Sequence, residues 1–251
     1  MRKSIILLFC LLLFLPVCAQ RTFVLAVGIS KYSDADYSLK KPASDARYFR
    51  KIMQSRGCNT VLVTNRYATT ANLLEKLDSI CNLATEDDNI VFFFSGHGCT
   101  GALITYDGIQ SGENLAFSDV RSKLIQSGAK SKFCFVDACF SGSVKKDYTK
   151  SLLPSDGIFY FMSSNENEYS FESDVYDNGF FTVALGMGLR GLADYDGDNS
   201  ITVYELYKYV HDYVAEMSTK KDPETGDWVS RQNPQLIGPK NKMKNTTFFM
   251  W

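Results

Sequence analysis

Apolar residues fall along this chain in two alternating textures. Short continuous runs occur at Thr22 to Ile29 (TFVLAVGI), Thr60 to Thr64, Asn89 to Ser95 (NIVFFFS), Ser131 to Asp137 (SKFCFVD) and Gly157 to Ser163 (GIFYFMS). They lack the every-other-residue alternation of a half-exposed strand, so they predict strands covered on both faces, as in a parallel sheet. Between them, apolar residues recur at helical spacing. Ala46, Phe49, Ile52 and Met53 make one stripe, with Ser44 as its predicted cap and Gly57 as its stop. Leu73, Leu74, Leu77, Ile80 and Cys81 make another, capped at Thr70. Ser118 opens a third helix, and Gly179 to Arg190 and Val203 to Met217 supply two more. Strand–helix alternation of this kind predicts a doubly wound α/β fold.

The segments outside this pattern set the organisation. Arg2 and Lys3 precede an apolar stretch from Ile5 to Leu15 that is too short to span a bilayer and is broken by Pro16. Val17-Cys18-Ala19 then fits a small-residue cleavage site, so residues 1–19 are expected to be a signal peptide and the mature chain to be exported. The rival is a lipoprotein signal acylated at Cys18, against which Val17 is a poor preceding residue. No stable membrane insertion is expected. Residues 20–251 are read as one domain: a larger part 20–144, a polar and charged linker 145–156, and a smaller part 157–251. Strands on both sides of the linker belong to one sheet.

Composition narrows the partners more than it names one. The 251 residues carry a net charge of -1 and no basic run, which argues against nucleic acid and acidic membranes. Removing the signal leaves Cys58, Cys81, Cys99, Cys134 and Cys139. Five is odd, so at least one thiol stays free in a compartment that permits disulfides. No CxxC pair or Cys/His ligand cluster is present. Cys58, Cys81 and Cys134 fall in helical or strand patterns and read as core, Cys99 lies two residues past His97, and His211 is mid-helix and structural.

Two apolar runs end in reactive residues. NIVFFFS runs into Gly96-His97-Gly98, and SKFCFVD runs into Ala138-Cys139-Phe140-Ser141-Gly142. Open parallel sheets collect ligands at the C-terminal ends of their strands. A right-handed crossover through the Ser118 helix sets these two strands side by side with both ends pointing the same way. His97 and Cys139 are then placed to act as general base and nucleophile, the pairing that thiol catalysis requires. Gly98 lets the backbone approach a scissile carbonyl, so the N–H groups of Gly98 and Cys139 are the expected oxyanion hole. A Cys or a Gly-flanked His taken singly reads as a packing or turn residue; the pair at adjacent strand ends is what points to catalysis.

FFFSGHG followed by FVDACFSG resembles the paired His and Cys motifs of caspases, metacaspases and their bacterial relatives. GISKY…LKKPASDA, MSSNENEYSFE, GFFTVAL and GLADYDGDNSITVYEL extend the resemblance, in order, over almost the whole mature chain. It implies a caspase-like three-layer α/β sandwich, with a six-stranded, mostly parallel sheet flanked by helices. It also implies a cysteine endopeptidase acting on protein or peptide substrates. In metacaspases an Asp two residues before the catalytic Cys and an Asp after the first strand form an acidic pocket for Arg or Lys; the matching residues are Asp137 and Asp45. A carboxylate pair suits a guanidinium or ammonium and repels an aspartate. For each Asp a structural role competes: Asp45 as a helix N-terminal charge, Asp137 as a strand-end turn. Cys99 to Leu115 is short and holds only Asp107 and Glu113, unlike the acidic calcium-binding stretch of metacaspases. Lys145, Lys146 and Lys150 stand where relatives are cut between their two parts, so self-cleavage is expected there. The alternatives are a legumain-, clostripain- or gingipain-like peptidase with another specificity, or a non-catalytic caspase-like binding module.

One further pattern carries chemistry. Asp194, Asp196, Asp198, Ser200, Thr202 and Glu205 fall at positions 1, 3, 5, 7, 9 and 12 of an EF-hand-type loop, a spacing suited to calcium. Asn199 replaces the Gly expected at position 6. Thr202-Val203-Tyr204-Glu205 is equally a capping box opening the next helix, a structural task that needs no ion. No cofactor is required by the expected chemistry.

Overall fold

A computed structural model describes residues 20–138, 157–165, 177–221, 224–225 and 228–250. The predicted signal segment, Cys139, the Ser141–Asp156 break and its three lysines lie outside the described residues.

The larger part runs β1 (Thr22–Gly28), α1 (Pro42–Ser55), β2 (Asn59–Thr64), α2 (Thr70–Leu83) and β3 (Asn89–Ser95). Three two-residue strands follow, β4 (Gly98–Cys99), β5 (Ala102–Leu103) and β6 (Leu115–Ala116), with the short helix α3 (Gly108–Ser111) between the last two. Then come α4 (Phe117–Gln126) and β7 (Ser131–Asp137). The smaller part holds β8 (Ile158–Met162), α5 (Phe180–Met187), β9 (Ser200–Thr202), α6 (Val203–Met217), β10 (Lys220–Lys221), β11 (Trp228–Ser230), β12 (Gln235–Ile237) and β13 (Thr247–Met250).

Six of these strands form one sheet in the order β12–β8–β7–β3–β1–β2. The five predicted strands are mutually parallel, and β12 closes one edge antiparallel to β8. The sheet contains strands from both sides of the Ser141–Asp156 segment. β3 and β7 are neighbours, and their register sets Ser95 opposite Asp137.

The continuous apolarity of the strands divides cleanly between two faces, because successive side chains alternate. Ile90, Phe92 and Phe94 of β3 pack with Leu73, Leu77 and Ile80 of α2 and Val120 and Leu124 of α4. Val91 and Phe93 pack on the other side with Phe49 and Met53 of α1, Phe181 of α5 and Leu206 and Val210 of α6. Aromatic rings knit this second layer: Phe49 stacks on Phe93 at 4.4 Å between centroids, Phe135 lies 4.7 Å from Phe161, and Phe133 meets Phe248 edge-on at 4.5 Å. The architecture is therefore the predicted sandwich of helices, sheet and helices.

Several helix starts differ from the sequence reading. α1 begins at Pro42 rather than behind Ser44, because the fixed φ of Pro favours the first helical position. The α2 cap is Thr69, whose hydroxyl accepts from the Asn72 N–H, so Thr70 is the first helical residue. α4 begins at Phe117, with Ala116 ahead of it and no side-chain cap. α5 is regular only to Met187 and then widens into a π-helical turn over Gly188–Leu192, where Gly191 sits at φ 117°. Among the cysteines, Cys81 and Cys134 are core, but Cys58 is only half-buried, in the turn entering β2.

One glycine fixes where α1 sits. A Cβ on Gly28, the last residue of β1, would collide with the Pro42 carbonyl oxygen and come within 2.7 Å of the Ala46 Cβ. The close approach carries the first turn of α1 over the C-terminal edge of the sheet, and Asp45 with it.

Candidate active site

His97 follows β3 by two residues and is held at three points. Its backbone N–H donates to the Tyr32 hydroxyl at 2.8 Å, and the Tyr32 ring lies 5.1 Å from the imidazole between centroids. Its Nε2 lies 2.9 Å from the Tyr37 carbonyl oxygen. A carbonyl only accepts, so Nε2 carries the proton, and Nδ1 is left as the basic nitrogen of the neutral ring. Tyr32 is buried, and burial pushes its phenol far above the usual range. It stays a neutral hydroxyl that can accept from His97.

Cys139 follows Ala138, and the chain is clamped at that residue. The Ala138 N–H donates to the Ser163 Oγ at 3.2 Å, and its carbonyl accepts from the hydroxyls of Ser163 at 3.2 Å and Ser164 at 3.4 Å. Both serines stand just beyond β8. The Gly96 N–H donates to the Asp137 carbonyl at 3.2 Å, tying the two strand ends together ahead of His97 and Cys139. Gly98 opens β4, paired with Leu103 of β5.

The two carboxyls expected to act together are brought together. Asp45, in the first turn of α1, and Asp137, at the end of β7, are 2 % and 7 % exposed. Both meet at Gly179, where a Cβ would lie 3.0 Å from Asp137 Oδ2 and 3.8 Å from Asp45 Oδ2. Asp45 accepts from Ser95 Oγ at 2.8 Å, Asn178 Nδ2 at 2.9 Å and the Gly179 N–H at 3.1 Å. Asp137 accepts from Thr182 Oγ1 at 2.8 Å. Burial, reinforced by the charge of Asp137, pushes the Asp45 carboxyl up to about 7 against the pull of those donors. A buried acidic pair of this kind is unfavourable by itself and is relieved by a cation.

Sequence reasoning did not find the groups that hold these residues. Ser95 and Thr182 carried a faint signal, as polar residues closing or entering apolar runs. Ser163 and Ser164 carried the same signal after β8. Tyr37 carried none, because the group it supplies is a backbone carbonyl. Cys99 is half-buried, with its Sγ 3.7 Å from the Ala102 carbonyl, and His211 is half-buried beside Asp212 on α6.

The Asp194–Glu205 loop lies apart from this edge. The carboxylates of Asp194, Asp196 and Asp198 lie within 4.8 Å of one another, and Asn199 takes the left-handed φ of 63° that position 6 demands. Each also holds its own loop: Asp194 accepts from the N–H groups of Gly197 and Asn199, Asp196 from Asp198, and Asp198 from Ser200. Glu205 completes a capping box with Thr202, whose N–H and hydroxyl it accepts at 2.9 and 2.8 Å. A ligand role for Glu205 competes with the cap for the same lone pairs. Denaturation separates the two roles. The cap predicts that Thr202→Ala costs about 1 kcal/mol in urea unfolding, unaltered by calcium. An ion held by the loop instead raises the melting temperature in millimolar calcium, a rise that Asp194→Ala removes.

Residues 21–243 match the model of the caspase domain family. The chain belongs to that family, whose members are cysteine peptidases. Among solved structures, it is similar to caspase-1 of the insect Spodoptera frugiperda, with a TM-score of 0.66 and 13% identity over 87% of this chain and 86% of that one. It is similar too to a protein of Geobacter sulfurreducens solved by structural genomics, with a TM-score of 0.63 and 16% identity over 92% and 99% of the two chains. At these identities the likeness establishes the fold. No curated protein is similar enough in sequence to match. A peptidase fold implies protein substrates, and no helix among the described residues is long and apolar enough to cross a membrane.

Proposed function

We propose that this protein is a cysteine endopeptidase in which Cys139 is the nucleophile, His97 the general base, and Asp45 with Asp137 the pocket for an Arg or Lys before the scissile bond. The observation that supports this reading is that His97 and the buried carboxyl pair lie at the ends of adjacent strands on one edge of the sheet. His97 is fixed by Tyr32 and Tyr37, the chain is clamped one residue ahead of Cys139, and a buried carboxyl pair lies at the end of the same strand.

The chemistry follows from the residues. Nδ1 of His97 takes the thiol proton, and the thiolate attacks the scissile carbonyl carbon. The resulting oxyanion requires nearby N–H donors, for which Gly98 and Cys139 are the candidates. The other cysteines suit the task poorly: burial pushes the thiols of Cys58 and Cys81 up to about 11, and those of Cys99 and Cys134 also upward, away from the nucleophilic thiolate. Export through the 1–19 segment, with no cofactor, remains part of this proposal.

Profiling on a peptide library tests it. Residues 20–251 are expected to cut after Arg or Lys and not after Asp or Asn, with Cys139→Ala inert under the same conditions. Preference for Asn would favour legumain-like chemistry, and preference for Asp would remove the acidic-pocket role. Inertness of the wild type on every peptide would leave the binding-module reading.

A further inference from the structure

The described residues hold a concave feature on the same edge, a cavity of about 390 Å³ at the C-terminal ends of β1 and β2. We propose that it is a subsite for the substrate segment that follows the scissile bond, and that it selects an acidic side chain there. The inference rests on the peptidase reading and adds to it the chemistry of the departing half of the substrate.

The direction of the substrate follows from proton accounting. Attack forms a C–S bond to the carbonyl carbon; when the C–N bond breaks, the departing nitrogen takes the proton held on the His97 imidazolium, and water later cleaves the acyl-enzyme to regenerate the thiol. The departing amine must therefore lie beside His97. In the sheet order β7–β3–β1–β2, Cys139 follows β7 and His97 follows β3. The departing segment then continues beyond His97 over the ends of β1 and β2, where the cavity is. Tyr32 belongs to both places, bonding the His97 N–H and lining the cavity.

The walls are built rather than loose. Asn65, at φ 51°, accepts the N–H groups of Ser30 and Lys31 on its Oδ1, joining the loop after β1 to the end of β2. Tyr106 is tied to both sides, its carbonyl accepting from the Ser33 N–H at 3.1 Å and its N–H donating to the Ala68 carbonyl at 2.9 Å. Arg66, exposed like Tyr67, lies over the Tyr67 ring at 4.8 Å and donates to the Tyr67 hydroxyl at 2.7 Å, which turns its guanidinium towards the cavity-lining tyrosine. Among the described residues, the charged ones lining the cavity are Lys31 and Arg66, with no Asp or Glu. Two cations beside phenol rings fit a carboxylate side chain and disfavour a lysine.

The test uses internally quenched peptides with Arg before the cut and either Glu or Lys in the two positions after it, alongside an Arg coumarylamide that has no residues after the cut. Wild type is expected to prefer the Glu peptide in kcat/KM by about tenfold at low salt, the size that one or two exposed ion pairs sustain, and to lose most of that preference in 1 M salt. Lys31→Glu/Arg66→Glu is expected to reverse the preference, which a misfolded chain cannot do. Arg66→Ala is expected to bring it towards unity. Equal cleavage of both peptides by a wild type that hydrolyses the coumarylamide overturns the subsite alone. A preference unchanged in either variant does the same. Hydrolysis of no substrate overturns the peptidase reading and the subsite with it.

Discussion

Cys139→Ala and His97→Ala are each expected to lose peptidase activity while remaining folded. Removing a general base costs typically about 10²–10⁴-fold, and removing the nucleophile costs at least as much, since no other described thiol is placed to replace it. The fold should tolerate both changes. Ala at 97 keeps the backbone N–H that donates to Tyr32 and gives up the Nε2 contact to the Tyr37 carbonyl and the ring contacts with Tyr32 and Tyr37. The strand ends are held by Ala138, Ser163 and Gly96, none of which is altered. Single-turnover hydrolysis of an Arg substrate, with unfolding curves for each variant, checks the prediction. Full activity in either variant would remove that residue from the mechanism.

The second large effect concerns the acidic pair. Asp137→Asn should lower kcat/KM on Arg and Lys substrates by about 10²-fold or more, because a charged group paired in a desolvated site is typically worth about 2–5 kcal/mol when its partner is lost. With the Asp45 carboxyl at about 7, the pair gains its second charge as pH rises through neutrality, so KM for basic substrates should fall over that interval. Stability should move the other way. The folded value of Asp45 lies above its ordinary 3.8, so between about 4 and 7 the unfolded chain has released a proton that the folded chain keeps. Stability therefore falls as pH rises through that window and levels off above it. Asp45→Asn removes the penalty. Its carbonyl can accept from Asn178 and Gly179, and its amide can donate to the Ser95 hydroxyl. The variant should be more stable than wild type at pH 8 and poorer on basic substrates, as urea unfolding and steady-state kinetics would record. A stability profile that does not fall between pH 4 and 7 would contradict the buried-pair account.

Much of this edge was legible because its parts lie at the ends of long apolar runs. The runs in β3 and β7 have the sequence-predicted bounds, and the adjacency of these two strands, one running into His97 and the other into Cys139, followed from strand handedness alone. Asp45 could be paired with Asp137 only through the family resemblance, since the contact depends on Gly28 letting α1 ride against β1. β12 was not legible: Gln235–Ile237 is too short for a periodic signal and gains its place by pairing with β8. The strands β4 to β6, two residues each, were missed for the same reason. Helix starts were misplaced where Pro42 or a neighbouring Thr outweighed the chosen cap, a choice of one or two residues that local pattern does not resolve.

The apolar strands that let helices cover both faces of the sheet have another consequence, for the chain before it folds. IVFFF in β3, FCFV in β7 and IFYFM in β8 contain neither charge nor proline. Segments of that kind are the ones that stack into intermolecular cross-β structure when exposed. Parallel pairing leaves them exposed longer, because each pair must wait for a distant crossover to close. The chain places charges at their entrances: Asp87 and Asp88 before β3, and Lys130 with Lys132 at the start of β7. Charges flanking an apolar strand in this way oppose such stacking. In the finished fold Asp88 is bonded to Arg21 and Thr85, and Lys132 sits almost wholly buried. Asp88 and Lys132 thus stand where charges oppose stacking of unfolded chains and also form part of the finished strand starts, and Asp156 precedes β8 in the sequence as Asp87 and Asp88 precede β3.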